Sequence, residues 1–479
     1  MSVPPQAPLE LSPEEFRRLG HRVIDALAEH LAHRDGEPVW RPSDPAVLDR
    51  SLGLVIPDQP RPFEELLELF FREVAPHTIR VTHPRFFGYV PVPGMSIAAL
   101  ADTLASTVNI FAGSWQSGAA AAVIERKTIE WLCCELGLPE GAGGLAVSGG
   151  SLANLTALAA ALHQSLGRYQ SSAVAYFSDQ THSAVERALR VLGFQETQLR
   201  RLPTDPRGAL VFRELEEAVW NDRALGMRPF CVIANAGTTS TGAVDPLPDL
   251  AEYCAGEGLW LHADAAYGGG AVLCERGRRA LAGLDRVDSL ALDPHKWLFQ
   301  PMDFGCVLVR RDSDLTETFR ILPDYLRDVY RTDENRNYCD RGLELTRPFR
   351  AFKLWFALQF YGVAAFRRAV DWGFHLCDIA EARLREHPRW EILTPAQMAI
   401  VTFRLKDASD EAQLQLIDRL RLDGHALLTS TSVAGRPALR LCTINPRTSE
   451  DDIRSTIERM EGLAGLKKQG DPADLSCGG

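Results

Sequence analysis

The sequence predicts an α/β protein with a mainly parallel central sheet, a helical N-terminal segment and a small C-terminal α/β domain. Three observations lead there. Short apolar runs alternate with helical stretches from about residue 86 to 355, a pattern that implies crossover connections and a sheet covered on both faces. The first 85 residues carry helix caps and one-sided apolar stripes instead. Successive apolar runs also end in polar residues, and in an open α/β sheet ligands sit outside the carboxyl ends of the strands. The expected divisions are residues 1–85, 86–355 and 356–479.

Taken in order, Ser12-Pro13-Glu14-Glu15 opens a helix with a cap, a first-turn proline and acidic residues. Phe16, Leu19, Val23, Ile24, Leu27 and Leu31 then form one stripe, either intrachain core or the face of a dimer arm. Proline-rich connectors, Arg41–Pro45 and Pro57–Pro62, lead to a second helix, Phe63 to Val74. The strand runs are Leu145–Val147, Ala173–Phe177, Phe230–Ala234, Leu259–Leu261, Ser289–Leu292 and Cys306–Val309. Helices are expected at Leu152–Leu166, Ser183–Leu192, Leu210–Trp220 and Leu247–Gly256. In the last part a long helix, Phe366–Arg385, precedes strands at Ile400–Leu405, Ala426–Ser430 and Ala438–Ile444. Helices are expected there at Glu411–Leu420 and Asp451–Leu463.

Composition bounds the function. The chain has 479 residues, 46% hydrophobic and 24% charged, as in ordinary soluble proteins. Its formal net charge is −11 and no Lys/Arg block stands out, which argues against nucleic acid or an anionic membrane as partner. No apolar run approaches the ~20 residues that span a bilayer. The opening MSVPPQAPLE has neither the basic region nor the apolar region of a secretory signal. Ten cysteines without a C-x-x-C pair point away from zinc and toward reduced thiols, so a cytoplasmic location is expected and no metal.

The polar strand ends carry the chemistry. They are Ser148-Gly149-Gly150-Ser151, Ser178-Asp179-Gln180-Thr181-His182, Asn235-Ala236-Gly237-Thr238-Thr239, His262-Ala263-Asp264 and Asp293-Pro294-His295-Lys296. A lysine at the mouth of a buried strand is poorly solvated, so its amine gains nucleophilicity near neutral pH and can form a Schiff base with an aldehyde. The ordinary alternative, a lysine snorkelling from an apolar edge, leaves the other strand ends unexplained. Glycines at Gly149 and Gly150 let backbone N–H groups and a helix dipole approach a phosphate, although a plain tight turn capped by serine has the same letters. Gly141-x-Gly143-x-x-Ala146 precedes its strand and is no dinucleotide fingerprint. Asp264 ends an apolar strand beside two alanines. A buried carboxylate needs a cationic partner, either a protonated ring nitrogen or a structural ion pair. His182 can stack on a ring or cap the helix that begins at Ser183. A phosphate nest, a nucleophilic lysine and a buried carboxylate together specify pyridoxal 5′-phosphate.

With those residues in view, the chain resembles the group II pyridoxal-phosphate decarboxylases, and among them the aromatic-L-amino-acid decarboxylases. The motifs run in the family's order from Phe16-Arg17-Arg18 to Leu441-Cys442-Thr443-Ile444-Asn445-Pro446. Between them lie His83-Pro84-x-Phe86-Phe87-Gly88-Tyr89, Ser178-Asp179-Gln180-x-His182-Ser183, Gly237-Thr238-Thr239, His262-x-Asp264-Ala265-Ala266-Tyr267 and Pro294-His295-Lys296-Trp297. The resemblance implies the aminotransferase-like type I fold in a homodimer, with an N-terminal segment clasping the partner. It implies that Lys296 carries the cofactor, Asp264 pairs with its pyridine nitrogen, and His182 stacks on the ring and touches the substrate carboxylate. Gly149, Gly150, Ser151, Thr239, Ala266, Asp293 and His295 would complete the cofactor site. Tyr325 would return a proton to Cα, from a charged segment, Pro323 to Arg341, that reads as an exposed loop closing over the substrate. Tyr89, Pro91, Val92, Phe111 and Thr346 would join His182 in contacting the substrate.

Departures from the animal enzymes bear on the substrate. Asp293 stands where those commonly have Asn, Val92 replaces a threonine that faces a catechol ring, and Gly113 replaces a bulky aromatic. Thr346 in turn replaces a smaller residue. The expected reaction is decarboxylation of an aromatic L-amino acid to the arylalkylamine. The alternatives are a decarboxylase of glutamate or diaminobutyrate and an aldehyde synthase on the same scaffold. No unpaired Lys or Arg is evident near the pocket to hold a distal carboxylate.

Overall fold

The computed structural model describes residues 9–53, 56–321 and 336–466. The first helix, Pro13–His33, starts as its letters require. Ser12 Oγ accepts the Glu15 N–H, and the Glu15 carboxylate accepts the Ser12 N–H, a reciprocal cap. None of its residues is buried within the chain, so Phe16, Ile24, Leu27 and Leu31 lie exposed along one side. Between the two expected proline-rich connectors lies a helix that was not expected, Pro45–Leu52. Asp44 caps it and proline takes its first position, where no N–H is needed. The helix Phe63–Leu69 widens into a π turn, Phe70–Val74.

The large sheet has seven strands: β1 (Gly143–Val147), β2 (Ala173–Ser178), β3 (Leu199–Leu202), β4 (Arg228–Asn235), β5 (Trp260–Asp264), β6 (Ser289–Leu292) and β7 (Gly305–Val309). Their order is β1-β7-β6-β5-β4-β2-β3. Only β7 runs antiparallel, wedged between β1 and β6. Every residue of β1, β2, β5, β6 and β7 is buried, because helices cover both faces. On one face Val232, Leu261 and Leu290 pack with Leu215 and Leu250; on the other Ala175, Phe230 and Ile233 pack with Leu158, Val185 and Leu189. β3 was not expected, since two arginines interrupt its four residues. The helices Ser96–Val108, Trp115–Glu135 and Ala351–Tyr361 were not expected either.

The second sheet is antiparallel, with β8 (Trp390–Gln397), β9 (Ile400–Leu405), β10 (Thr429–Val433) and β11 (Arg436–Cys442) in the order β10-β11-β9-β8. The helices Val363–Glu386, Asp410–Asp423 and Glu450–Leu463 accompany it, the last capped by Ser449. The strand expected from Ala426 begins instead at Thr429. Leu427 is engaged elsewhere: its carbonyl accepts the Phe87 N–H at 2.9 Å, and its own N–H donates to Arg85. Asn445 Nδ2 donates to the His83 carbonyl and Thr448 Oγ1 to that of Pro84. The segment His83–Phe87 is thereby sewn to the C-terminal sheet.

Two charged clusters, the first fully buried and the second partly so, brace the large sheet. Arg347 and Glu125 are fully buried and doubly hydrogen-bonded, at 2.6 and 3.2 Å. Arg347 also donates to the carbonyls of Ala112 and Ala146. Nearby, Asp312 receives both Arg336 and Arg341. The exposed loop expected to run to Arg341 is corrected at its end: Tyr338 and Arg341 are buried. The Asp312 carboxylate compensates Arg341, and the Tyr338 ring lies within about 6 Å of three guanidinium groups. Tyr325 and Tyr330 lie outside the described residues. Among the described residues nine cysteines are free, and no helix is long and apolar enough to cross a membrane.

Candidate active site

The carboxyl ends of β1, β2, β4, β5 and β6 open on one cleft of about 360 Å³. At the end of β1, Ser148 and Gly149 turn the chain into the helix Gly150–Leu166. The N–H groups of Gly150 and Ser151 have no intrahelical acceptor in that first turn. Gly149 takes the capping position without a side-chain cap, so this is not the serine-capped turn weighed above. A Cβ on Gly150 would lie 2.9 Å from Ala266 Cβ and 3.0 Å from Asp293 Oδ2. Only glycine lets this turn close on the ends of β5 and β6.

β5 delivers Asp264, which is buried. Its Oδ1 accepts the Ala266 N–H and its Oδ2 accepts Asn154 Nδ2, each at 3.2 Å. Burial pushes this carboxyl above its ordinary range, while Lys296, the Ala266 N–H and His182 draw it back down. β6 delivers Asp293, His295 and Lys296. Lys296 Nζ sits 2.9 Å from Asp293 Oδ2, and the other oxygen of Asp293 is buried with no hydrogen-bond partner. His295 donates its Nδ1–H to the Phe304 carbonyl at 2.6 Å, and burial lowers its pKa.

After β2, His182 caps the helix Ser183–Val191, its Nδ1 accepting the Ala184 N–H at 3.2 Å, and its ring also borders the cleft. The capping reading of His182 is therefore observed, and the cap leaves the residue at the cleft wall. After β4, Asn235 Nδ2 donates to Ser178, Thr181 and Asp245. Burial pushes the Asp245 carboxyl up to about 6, although it accepts N–H groups from Asn235 and Leu210. Gly237 holds φ at +104°, and a Cβ there would press on Tyr267 and Gly268. Thr239 lies just beyond, on the cleft wall.

Gly149, Gly150, Ser151, His182, Thr239, Asp264, Ala266, Asp293, His295 and Lys296 all border this cleft. Tyr89, Pro91, Val92, Phe111 and Thr346 do not. Tyr89 sits in the left-handed region at φ 47°, its N–H on Thr429 Oγ1 and its carbonyl accepting from Arg440. Phe111 packs over Gly113: a Cβ on Gly113 would lie 2.4 Å from Phe111 Cζ, so the lost aromatic leaves no opening there. Arg440 is buried and donates to the Tyr89 carbonyl, with its Nε and Nη2 lacking acceptors, and it does not border the cleft. Sequence reasoning also missed Asn154 and Tyr267 as cleft residues. Asn154 was detectable as the one amide in the first two turns of an alanine-rich helix.

The cleft suits pyridoxal phosphate in three respects. It has a helix N-terminus that two glycines leave open, a buried carboxylate suited to a protonated ring nitrogen, and an amine suited to an aldehyde. Its volume lies within the range of small-molecule sites. The profile of the pyridoxal-dependent decarboxylase conserved domain matches residues 45–406, and the chain belongs to that family. It is therefore a pyridoxal-phosphate-dependent decarboxylase. Among its relatives, an aromatic-L-amino-acid decarboxylase of Bacillus atrophaeus is 44% identical over 464 residues, 95% of this chain and 97% of that one. Tryptophan decarboxylase TDC1 of Camptotheca acuminata is 33% identical over 96% of each chain. The crystal structure of Oryza sativa TDC with PLP and tryptamine superposes with a TM-score of 0.91 at 30% identity, covering 96% of this chain and 99% of that one.

Proposed function

We propose that the enzyme removes the α-carboxyl group of an aromatic L-amino acid, releasing CO2 and the arylalkylamine. The observation that carries this reading is one cleft in which Asp264, Lys296 and the open turn Gly149–Ser151 face each other. The relatives named above, which are decarboxylases of aromatic amino acids by name, support the substrate class. Pyridoxal phosphate supplies an electron sink for the pair left at Cα when CO2 departs.

The residues divide the remaining work. Lys296 holds the cofactor's aldehyde end and Asp264 keeps its ring nitrogen protonated. Gly149, Gly150, Ser151 and Thr239 receive the phosphate, with Asp293, His295 and Ala266 around it. His182 packs on the ring face and meets the substrate carboxylate. Tyr325 gives Cα its proton. The substrate ring is assigned to Tyr89, Pro91, Val92, Phe111 and Thr346, all of which lie outside the cofactor cleft of the single chain. The chain is read in three parts, residues 1–85 clasping a partner, 86–355 binding the cofactor and 356–479 forming a small C-terminal α/β domain. The exposed apolar side of Pro13–His33, together with exposed Leu100, Leu104 and Val108, supports a homodimer. The location is read as cytoplasmic.

The test is CO2 release from phenylalanine, tyrosine, tryptophan, DOPA and glutamate by the purified enzyme. The aromatic acids should show the highest kcat/KM, with phenylalanine and tryptophan not strongly disfavoured against DOPA because Val92 offers no hydroxyl. A dominant value for glutamate would overturn the aromatic reading.

A further inference from the structure

Behind Asp264 the sheet holds a second set of polar groups that the reaction as read above does not use. Trp260 and His262 come from β5, Ser289 from β6 and Asn154 from the helix Gly150–Leu166. All four are buried, and Trp260, His262 and Ser289 do not border the cleft. We propose that His262 and Ser289 are positioning residues for Asp264: a one-way chain of hydrogen bonds, Trp260 to Ser289 to His262 to Asn154 to Asp264, aims its carboxylate into the cleft and keeps it ionised.

The direction follows from the two ends. An indole N–H can only donate and a carboxylate can only accept. Trp260 Nε1 lies 2.8 Å from Ser289 Oγ, so that oxygen accepts. At the other end Asn154 Nδ2 lies 3.2 Å from Asp264 Oδ2, so the amide turns its nitrogen to the carboxylate and its oxygen to His262. That oxygen is 2.8 Å from His262 Nε2, which must carry the hydrogen. Burial lowers the His262 pKa to about 3, so the ring is neutral and its Nδ1 is bare. Ser289 Oγ, 2.9 Å away, donates its one hydrogen to that nitrogen. Every link thus points toward Asp264, and such chains polarise in a low-dielectric interior. Break a link and the imidazole can take its other tautomer. Asn154 can then turn over and present its oxygen to the Asp264 carboxylate. Burial already pushes Asp264 toward its neutral form, so losing the donor would shift it further.

The inference rests on reading Asp264 as the partner of the cofactor's ring nitrogen, and the experiment separates the two. Holoenzymes carrying Ser289→Ala, His262→Phe, both changes, or Asp264→Asn are compared with wild type. The readouts are the cofactor dissociation constant, the visible absorbance of the bound cofactor, and the unfolding midpoint after the cofactor is removed. Ser289→Ala should weaken cofactor binding about fivefold, the effect of one hydrogen bond. It should also shift the absorbance at temperatures well below the unfolding midpoint of the stripped protein, which itself falls because the Trp260 N–H loses its acceptor. His262→Phe should do more, and adding Ser289→Ala to it should do nothing further, because Ser289 acts only through the imidazole. Additive losses, unchanged cofactor binding, or losses that track the unfolding midpoint would overturn the relay. If Asp264→Asn shifts binding and absorbance while the relay variants do not, the relay falls and the reading of Asp264 stands. If Asp264→Asn is silent, both fall.

Discussion

Asp293 and Lys296, three residues apart, meet as an ion pair inside the cleft, with carboxylate Oδ2 2.9 Å from the amine. The same oxygen is the one a Cβ on Gly150 would approach, so the carboxylate also faces the turn that offers free N–H groups to an anion. Asp293 therefore holds the amine while adding a negative charge beside the turn proposed to receive the phosphate.

Asp293→Asn should tighten pyridoxal phosphate binding by about tenfold, since one like charge leaves a poorly solvated site. Titration of the cofactor-free protein measures it. Weaker binding in the variant would mean that holding Lys296 outweighs the repulsion.

Lys296→Ala should lose the visible absorbance of the bound cofactor and fall to background CO2 release, because the described cleft offers no second amine. A variant keeping both would place the nucleophile elsewhere.

Asp264→Asn should fold normally and turn over roughly 10²-fold more slowly, as the charge that keeps the ring nitrogen protonated is gone. Steady-state kcat decides it; a change of only a few-fold would make Asp264 structural.

Much of this cleft was legible because a parallel strand advertises itself twice, by an apolar run and by the polar residues after it. Lys296, Asp264 and His182 were all found at such junctions. Asn154 was not, because a polar residue inside a helix reads as surface unless the facing element is known. β8 escaped because Pro395 falls within it and its pairing with β9 is irregular. Trp115–Glu135 escaped because Gly118 leaves helical geometry and breaks the apolar period. Tyr338 was misjudged because its neighbours are charged; only the folded chain reveals that Asp312 neutralises them.

Glu125→Gln should cost about 3–5 kcal/mol of stability, because it leaves the Arg347 charge buried and uncompensated. Chemical unfolding of the cofactor-free protein reads this. Replacing both residues with apolar ones should not recover the loss, because Arg347 also serves the Ala112 and Ala146 carbonyls and Glu125 the Ala146 N–H.

Tyr325→Phe should slow amine formation sharply and divert turnover to aldehyde, ammonia and peroxide, since the proton donor assigned to Cα is removed. Product analysis under air tests this. Amine formation at the wild-type rate would move the role to His182.

The stitching of His83–Phe87 to Leu427, Cys442, Asn445 and Thr448 also bears on how the molecule is made. These partners lie far apart in sequence, and closing them cannot begin until Leu427 has been synthesised. A nascent chain that ends short of these partners would hold a finished seven-stranded sheet and an unmoored segment His83–Phe87, without the C-terminal acceptors and donors that fasten it. Ribosome-bound chains stopped before Leu427 should accordingly recruit chaperones, and released chains that include the helix Glu450–Leu463 should not.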